Sequence, residues 1–223
     1  VGRMKVDKAL VKLLDDVNGQ LGVQPAGNEI IALMKQCYQE GASIEQATFQ
    51  LVNQLFADYG LIILLPDNAE LKRSFIPVIQ KELLEEFSQV AVQQTVSQYP
   101  EGYIAQASGR ELNMFYLKDD KRERIEMQKN APEGVSWSVV NTDLKFTKDQ
   151  IIEELNQHPE RFSPNVILRP VFQEWVLPNI AFIGGGGEIA YWLQLKKVFE
   201  ALEVPYPLMV VRNSFMFVSK DMQ

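Results

Sequence analysis

The sequence predicts an α/β protein that combines a parallel sheet with a helical N-terminal portion and a β-rich insertion. The α/β core is indicated by short apolar runs typical of buried parallel strands and by a strand–helix–strand order between residues 179 and 211. We expect residues 1–99 to form a helical segment that leads into the first strand and helix of the core. Residues 100–146 are predicted to be the insertion, and residues 147–223 the βαβ part of the core.

Composition excludes several classes of protein. The 223 residues are 46% hydrophobic and 23% charged, which is the balance of a globular protein with a real core. A net charge of −7 argues against a nucleic-acid partner, and no apolar run approaches the roughly 20 residues that span a membrane. Cys37 is the one cysteine, which excludes an intramolecular disulfide and fits a cytoplasmic location. Because the chain begins at Val1 and opens on a helical pattern, we expect a fragment of a longer protein.

Three amphipathic helices are predicted before residue 60. Ser43 and Gln46 have the spacing of a capping box, which marks the start of the third helix. Cys37 is expected to pack in the core of this region as a small apolar residue. The predicted apolar faces contain, helix by helix, Leu10, Leu13, Leu14, Val17 and Leu21; Ile30, Met34, Cys37 and Tyr38; and Leu51, Leu55 and Phe56.

A buried parallel strand is predicted at Leu61–Leu65, because this run is apolar on both faces and lies between Gly60 and Pro66. Asp67, with Glu70 three residues later, can cap the helix that follows. One long helix is then expected to run through Ile76, Ile79, Leu83, Phe87 and Val90.

The insertion has the pattern of a β-hairpin. Residues 112–117 and 124–128 flank a charged turn, and residues 135–140 suit a further strand. Arg122 and Arg124 lie near the predicted tip. They can touch a phosphate, but the preferred interpretation is a solvated hairpin tip.

The C-terminal part contains the βαβ pattern. Thr147 and Gln150 form a capping box before a helix, which Pro159 ends. The unit itself comprises a strand, a crossover helix and a second strand, at Asn179–Ile183, Glu188–Leu202 and Pro207–Val211.

Polar residues follow each of the three predicted parallel strands. Asp67 follows the first strand, a run of four glycines with Glu188 follows the second, and Arg212 with Asn213 follows the third. In an open parallel sheet, ligands bind beyond the carboxyl ends of the strands. The sequence therefore predicts that these residues face one crevice.

The glycine run suggests an anion site. Backbone N–H groups of Gly184, Gly185, Gly186 and Gly187 can approach an anion closely, and the following helix N-terminus favours negative charge. Glu188 places a carboxylate where a pyrophosphate would lie, so it is predicted to cap the helix or bind an amine. The alternative is that the glycines only make a tight strand-to-helix turn.

Further candidates precede and follow this run. Ser163 and Asn165 are predicted to contact substrate or nucleotide, and Arg169 to bind a carboxylate or phosphate in a bidentate manner. The alternative for Arg169 is a buried ion pair with Glu174 or Glu188. Tyr191 is a further binding candidate, although either it or its neighbour Trp192 is expected in the core. His158, the one histidine, is expected at a helix end, so neither a Ser-His-Asp triad nor a metal site is predicted.

Several segments together resemble the family of the bacillithiol biosynthesis cysteine-adding enzyme, BshC. The resemblance spans most of the chain and is densest between residues 160 and 200. The segments that carry it are Ser163–Pro170, Leu177-Pro178, Ile183–Gly185, Gly187–Trp192, Val198–Glu200 and Arg212, with Gly60–Leu64, Asp67, Leu71-Lys72, Pro77 and Arg110–Leu112 earlier in the chain.

The resemblance implies a Rossmann-like core and a cysteine ligase that joins the carboxyl group of cysteine to the amine of glucosaminyl-malate. ATP is the implied co-substrate, with Mg²⁺ as an associated ion, and a homodimer would form through segments outside this chain. Glu188 and Arg169 would be catalytic: Glu188 would bind an amine, and Arg169 and Arg212 would hold anionic groups. Asp67 would bind a hydroxyl or a metal-bound water.

Two other functions remain open at this stage. Gly185-x-Gly187-x-x-Ala190, with Arg212 after the next strand, satisfies a relaxed dinucleotide fingerprint and would suit an NADP-binding oxidoreductase. A non-catalytic scaffold whose helices and hairpin bind a partner protein is the second alternative. Binding of NADPH would favour the first, and unchanged bacillithiol levels after gene deletion would favour the second.

Overall fold

A computed structural model describes residues 3–118, 121–129 and 134–218. The chain divides into two compact units, with the boundary between Asn68 and Ala69. This division differs from the predicted boundaries at residues 99 and 146. Each unit is described by itself below.

The first unit consists of the three predicted helices, α1 (Lys8–Leu21), α2 (Gly27–Cys37) and α3 (Ile44–Phe56), followed by a short 3₁₀ turn at Ala57–Tyr59. Ser43 caps α3 as predicted, since its side chain accepts a hydrogen bond from the Gln46 N–H. Cys37 is buried, which confirms its core placement, and burial raises the pKa of its thiol.

The predicted apolar faces of these helices are only partly correct. Leu14 is buried as expected, whereas Leu13, Ile30, Leu55 and Phe56 remain exposed. Each of the three short helices packs against its neighbours along a narrow stripe only. The apolar face of each helix is wider than this stripe, so part of the face stays exposed.

The predicted strand at Leu61–Leu65 is wrong. This segment has no regular secondary structure, and Ile62 is 67% exposed. A strand needs a neighbouring strand to accept and donate its backbone hydrogen bonds. None of the strands found in the described parts of the chain pairs with this segment.

The second unit begins with α4 (Ala69–Ser74), α5 (Ile76–Glu85) and α6 (Phe87–Val96), where one long helix had been expected. The helix is interrupted at Glu86, which has a left-handed backbone conformation with φ of 51°. The carboxylate of Glu82 accepts hydrogen bonds from the Ser88 N–H and hydroxyl just beyond this break. The buried carboxylate therefore stabilises the start of a new helix after residue 86.

The insertion is an antiparallel sheet, as predicted from its hairpin pattern. Its strands are β1 (Met114–Lys118), β2 (Lys121–Gln128), β3 (Ser136–Val139) and β4 (Lys145–Phe146), and β5 (Phe162–Pro164) pairs with β1. The strand order is β4-β3-β2-β1-β5. Because β5 comes from beyond residue 146, the sheet includes the segment that contains Ser163.

Helix α7 (Lys148–Gln157) covers this sheet. Thr147 and Gln150 form the predicted reciprocal capping box at its start. Ile151 and Leu155 are fully buried, together with Phe162 of β5. On α5, Leu83 is also fully buried, and its carbonyl accepts a hydrogen bond from the Trp137 indole N–H. The hydrophobic core of the second unit thus lies between the antiparallel sheet and its helices.

The βαβ prediction is confirmed. After α8 (Arg169–Val176), strand β6 (Ala181–Gly184) pairs in parallel with β7 (Leu208–Val211). The connection is two helices rather than one, α9 (Gly186–Leu193) and α10 (Lys196–Glu200). They separate at Gln194, a buried residue whose side-chain oxygen accepts hydrogen bonds from the Gln106 and Ala107 N–H groups.

The α/β class is therefore confirmed, but the parallel strands are fewer and more exposed than predicted. In the described residues the parallel sheet has two strands. Ile183, in the strand expected to be buried, is 67% exposed, and so is Leu208 of the neighbouring strand. On the covered side, Phe182 stacks on buried Trp192 with ring centroids 4.2 Å apart.

Candidate functional site

The four glycines between β6 and α9 have different structural roles. A Cβ atom on Gly184 would lie 2.6 Å from the Phe182 ring, and one on Gly185 would lie 3.1 Å from the Arg212 guanidinium. Added Cβ atoms on Gly186 and Gly187 would meet nothing within 4 Å. None of the four has a positive φ, and a single residue, Gly185, separates the end of β6 from the start of α9, so the alternative of a tight strand-to-helix turn stays open. A side chain at Gly184 would clash with the Phe182 ring, and one at Gly185 would displace the flexible ends of Arg212 and Glu188, whereas the fold leaves the space beside the last two glycines open.

Glu188 caps its own helix. Its Oε2 accepts a 2.7 Å hydrogen bond from the Gly185 N–H and lies 3.9 Å from Nη2 of Arg212. The backbone N–H of Arg212 donates to the Gly184 carbonyl, which fixes the start of the segment after β7. Both side chains are more than half exposed, so their mutual attraction is weak.

The turn from Asn165 to Arg169 is held together by the asparagine. Asn165 Oδ1 accepts from the Ile167 N–H at 2.8 Å, and its carbonyl accepts from the Arg169 N–H at 2.9 Å. This arrangement leads the chain from β5 into α8, with Arg169 as the first residue of the helix.

Arg169 has an exposed side chain. The alternative of a buried ion pair is wrong for the described residues. Glu174 instead accepts hydrogen bonds from the backbone and side-chain N–H groups of Asn179, and Glu188 faces Arg212. The Arg169 guanidinium is thus accessible to an anionic ligand.

Tyr191 connects the turn to the four glycines at residues 184–187, which we call the glycine segment. Its hydroxyl donates a hydrogen bond to the Val166 carbonyl, and α9 carries both Tyr191 and Glu188. Burial raises the pKa of Tyr191 to about 12, opposed by the positive charge of Arg169. Arg169, Tyr191 and the start of α9 therefore belong to one region of the second unit.

Arg122 is exposed near the end of the β1–β2 hairpin, as expected, and it also contacts the same region. Its Nη2 donates to the Pro164 carbonyl at 3.1 Å, its Nε lies 3.4 Å from Ser163 Oγ, and its guanidinium stacks 3.7 Å from the Phe115 ring centroid. Burial lowers the pKa of Arg122. This role follows from the pairing of β1 with β5, which no local sequence pattern reveals.

Comparison with known protein families covers this region together with nearly all of the chain. The N-terminal Rossmann-like domain of bacillithiol biosynthesis BshC matches residues 1–213. The chain belongs to the BshC family.

Several relatives extend this match. The chain is 44% identical over 220 residues, or 99% of its length, to a candidate cysteine ligase BshC of Flavobacterium johnsoniae, of which it covers 40%. It is 39% identical to the BshC of Flavobacterium psychrophilum over its whole length, which is 41% of that protein. Over 185 residues it is 43% identical to the BshC of Cytophaga hutchinsonii, covering 82% of this chain and 34% of the relative. The chain therefore spans about 40% of the length of these curated relatives.

Membership of the BshC family confirms the Rossmann-like fold, and the matching family is described as a domain of bacillithiol biosynthesis BshC. The relatives are named as ligases, which agrees with the predicted class of enzyme. In the described part of the chain, no helix is both long enough and apolar enough to cross a membrane.

The remaining predicted site residues are placed as follows. Asp67 lies in the first unit, where its Oδ1 accepts a 2.9 Å hydrogen bond from Arg3, so its convergence with the glycine segment stays a prediction. Asn213 is exposed directly after Arg212. His158 is the C-terminal cap of α7 and lies 3.2 Å from Glu160, which confirms its position at a helix end. No group of three or more His, Cys, Asp or Glu side chains suited to a metal occurs among the described residues.

Proposed function

We propose that the full-length protein is a cysteine ligase that forms an amide bond between the carboxyl group of cysteine and the amine of glucosaminyl-malate, with ATP as co-substrate. Membership of the BshC family and the names of the relatives support a ligase of bacillithiol biosynthesis. The single buried cysteine, Cys37, suits a reducing compartment, and we place the reaction in the cytoplasm.

The observation that carries this proposal is the arrangement of charges around the glycine segment. Exposed guanidinium groups of Arg169 and Arg212 belong to the same region as the start of α9, where Gly186 and Gly187 leave open space. The N–H groups of the first helical turn have no partner within the helix. Cations and backbone donors in this arrangement suit phosphate or carboxylate oxygens.

Glu188 supplies the opposite charge. Its carboxylate already occupies the Gly185 N–H, so this end of the segment suits a positively charged amine better than a phosphate. The α-amino group of cysteine is such a cation. We therefore assign Glu188 to the amine of cysteine, and Arg169 and Arg212 to anionic groups, including the malate carboxylates.

The chemistry explains why both kinds of charge are needed. A carboxylate is a poor electrophile, and ATP, when bound, supplies the phosphate-type leaving group that activates it. The acceptor amine then forms a bond to the carboxyl carbon, and the leaving group departs with its electron pair while the amine loses a proton. Backbone donors at the start of α9 stabilise the charge that builds up on oxygen during this step. We expect Ser163, Asn165, Tyr191 and Asn213 to shape the same pocket, and Mg²⁺ to enter with the nucleotide.

The test is an assay of the full-length protein with cysteine, ATP and glucosaminyl-malate, in which the product is identified by its mass. We expect a product with the mass of the amide that depends on all three compounds. Arg169→Ala and Glu188→Gln in the full-length enzyme should reduce its formation while the fold is retained. Absence of product under varied nucleotides, or binding of NADPH in a fluorescence titration, would contradict the ligase assignment.

A further inference from the structure

A buried polar cluster lies beneath the Asn165–Arg169 turn. Glu82, Ser88 and Asn113, which we call the Glu82 cluster, are all fully buried. Burying a carboxylate and an amide costs free energy unless their hydrogen bonds are satisfied. Burial raises the pKa of Glu82, and the hydrogen bonds from Ser88 and Asn113 oppose this shift.

The cluster fixes the side chain of Asn113. Glu82 Oε1 accepts from the Asn113 backbone N–H and from the Ser88 hydroxyl, both at 2.8 Å. Asn113 Nδ2 donates to Ser88 Oγ at 2.7 Å and to the Arg110 carbonyl at 2.8 Å. Both amide hydrogens of Asn113 are thereby used, so its Oδ1 has one defined orientation.

That oxygen and the Asn113 carbonyl both reach Asn165. Oδ1 accepts from Asn165 Nδ2 at 2.7 Å, and the carbonyl of Asn113 accepts from the Asn165 N–H at 3.0 Å. Asn165 in turn accepts hydrogen bonds from the Ile167 and Arg169 N–H groups. A continuous path of hydrogen bonds therefore runs from the buried carboxylate of Glu82 to the backbone of Arg169.

We propose that Asn113, held in place by Glu82 and Ser88, is a positioning residue that sets the location of Arg169 in the ligase site. This inference rests on the proposed function for its kinetic consequence. Asn113 does not belong to the turn or the glycine segment, and it acts through Asn165. A fully hydrogen-bonded polar network of this kind specifies one arrangement of the chain. An apolar side chain at position 113 would contact Asn165 without fixing its orientation.

The first experiment measures hydrogen exchange in the full-length protein. In Asn113→Ala, the amides of Ile167 and Arg169 should exchange faster, because the Asn165 side chain loses its acceptor, Asn113 Oδ1, while the amides of α7 keep their protection. Thr95→Ala is the matched control, since Thr95 is also buried and bonds to the Ala91 carbonyl and the Lys197 N–H. This control should leave exchange in the turn unchanged. Unchanged exchange in the turn of Asn113→Ala would overturn the inference.

The second experiment is a double-mutant cycle between Asn113→Ala and Arg169→Ala, read as kcat and KM for the ligation. Misplacement of a binding group by about 1 Å costs up to roughly a hundredfold in rate, so we expect Asn113→Ala to lower kcat/KM by about 10–100-fold. In the Arg169→Ala background the same change should have little further effect. Full additivity, or wild-type kinetics for Arg169→Ala, would refute the positioning role.

A failure of the Asn113 inference can be distinguished from a failure of folding and from a failure of the proposed ligase function. If Asn113→Ala does not fold, Ser88→Ala removes one of the two acceptors of Asn113 Nδ2 and should increase exchange in the turn to a smaller extent; no increase would contradict the inference. If the wild-type protein forms no product, the proposed ligase function fails. The exchange measurement still decides whether Asn113 positions Arg169.

Discussion

Glu188 and Arg212 approach each other across Gly185, with the carboxylate oxygen 3.9 Å from the guanidinium nitrogen. A Cβ atom on Gly185 would touch both side chains, at 3.3 and 3.1 Å. The glycine thus allows an anionic and a cationic group to meet at the start of α9. In the proposed function, this pairing would bind a substrate that carries both an amine and a carboxylate.

The glycine segment gives the first prediction. Gly184→Ala should destabilise the protein by about 1–3 kcal/mol, because the new methyl group would overlap the Phe182 ring. Gly187→Ala is the matched control and should be neutral or stabilise by up to about 1 kcal/mol, since alanine suits a helix better than glycine. Urea unfolding of the full-length variants measures both changes in stability.

We expect Gly187→Ala nevertheless to weaken ligand binding, and a variant with wild-type kinetics would argue against contact between Gly187 and ligand.

Glu188→Gln should change the free energy of unfolding by less than about 1 kcal/mol, because the carboxylate is exposed. The KM for cysteine should rise, because the charge that faces its amine is lost. Steady-state kinetics with cysteine and with an analogue that lacks the amine separate the loss of amine binding from a general loss of activity. If the variant discriminates against the analogue as strongly as the wild type does, Glu188 does not bind the amine.

Tyr191 gives a prediction on pH dependence. Its pKa is raised from about 10 in the unfolded chain to about 12 by burial, so the folded state holds the phenol proton more tightly. The corresponding stability is fully present below pH 10 and is lost as the pH rises from about 10 to about 12. The stability difference between wild type and Tyr191→Phe should therefore shrink over this range. Chemical denaturation at several alkaline pH values tests it, and a constant difference would contradict the shift.

Arg122 and Arg124 form a matched pair on β2. Arg122→Ala should cost about 1–2 kcal/mol, because it removes the stack on Phe115 and the hydrogen bond to Pro164. Arg124→Ala should cost less than about 0.5 kcal/mol, because its pairing with Glu126 at 3.3 Å lies near the surface. Equal costs for the two variants, measured by thermal unfolding, would show that Arg122 does not support the β5 segment.

Local sequence patterns predicted the elements that local interactions determine. The capping box at Thr147 and the parallel strands around the glycine segment were both identified, since helix caps and short apolar runs are short-range signals in the sequence. The prediction at Leu61–Leu65 failed because a strand also needs a partner strand, which the run itself does not specify. The helix break at Glu86 was missed because it depends on Glu82 and on contacts distant in sequence.

The roles of the residues in the candidate site stay predictions. Glycines, charged residues and their order along the chain indicated Arg169, Glu188 and Arg212. The support of the turn by Asn113 and Arg122 was not predictable, because it depends on side chains separated by more than forty residues in the chain. Hydrogen bonds of that kind follow from the tertiary fold and leave no periodic pattern in the sequence.

The proposed function depends on the activation of the cysteine carboxyl group by ATP. The most direct measurement supplies the full-length enzyme with cysteine whose carboxyl oxygens carry a heavy isotope, together with ATP and glucosaminyl-malate. Activation transfers one labelled oxygen to the phosphate-containing product, and mass spectrometry should find the label there in proportion to the amide formed. Amide formation without label in any phosphate-containing product would contradict the account.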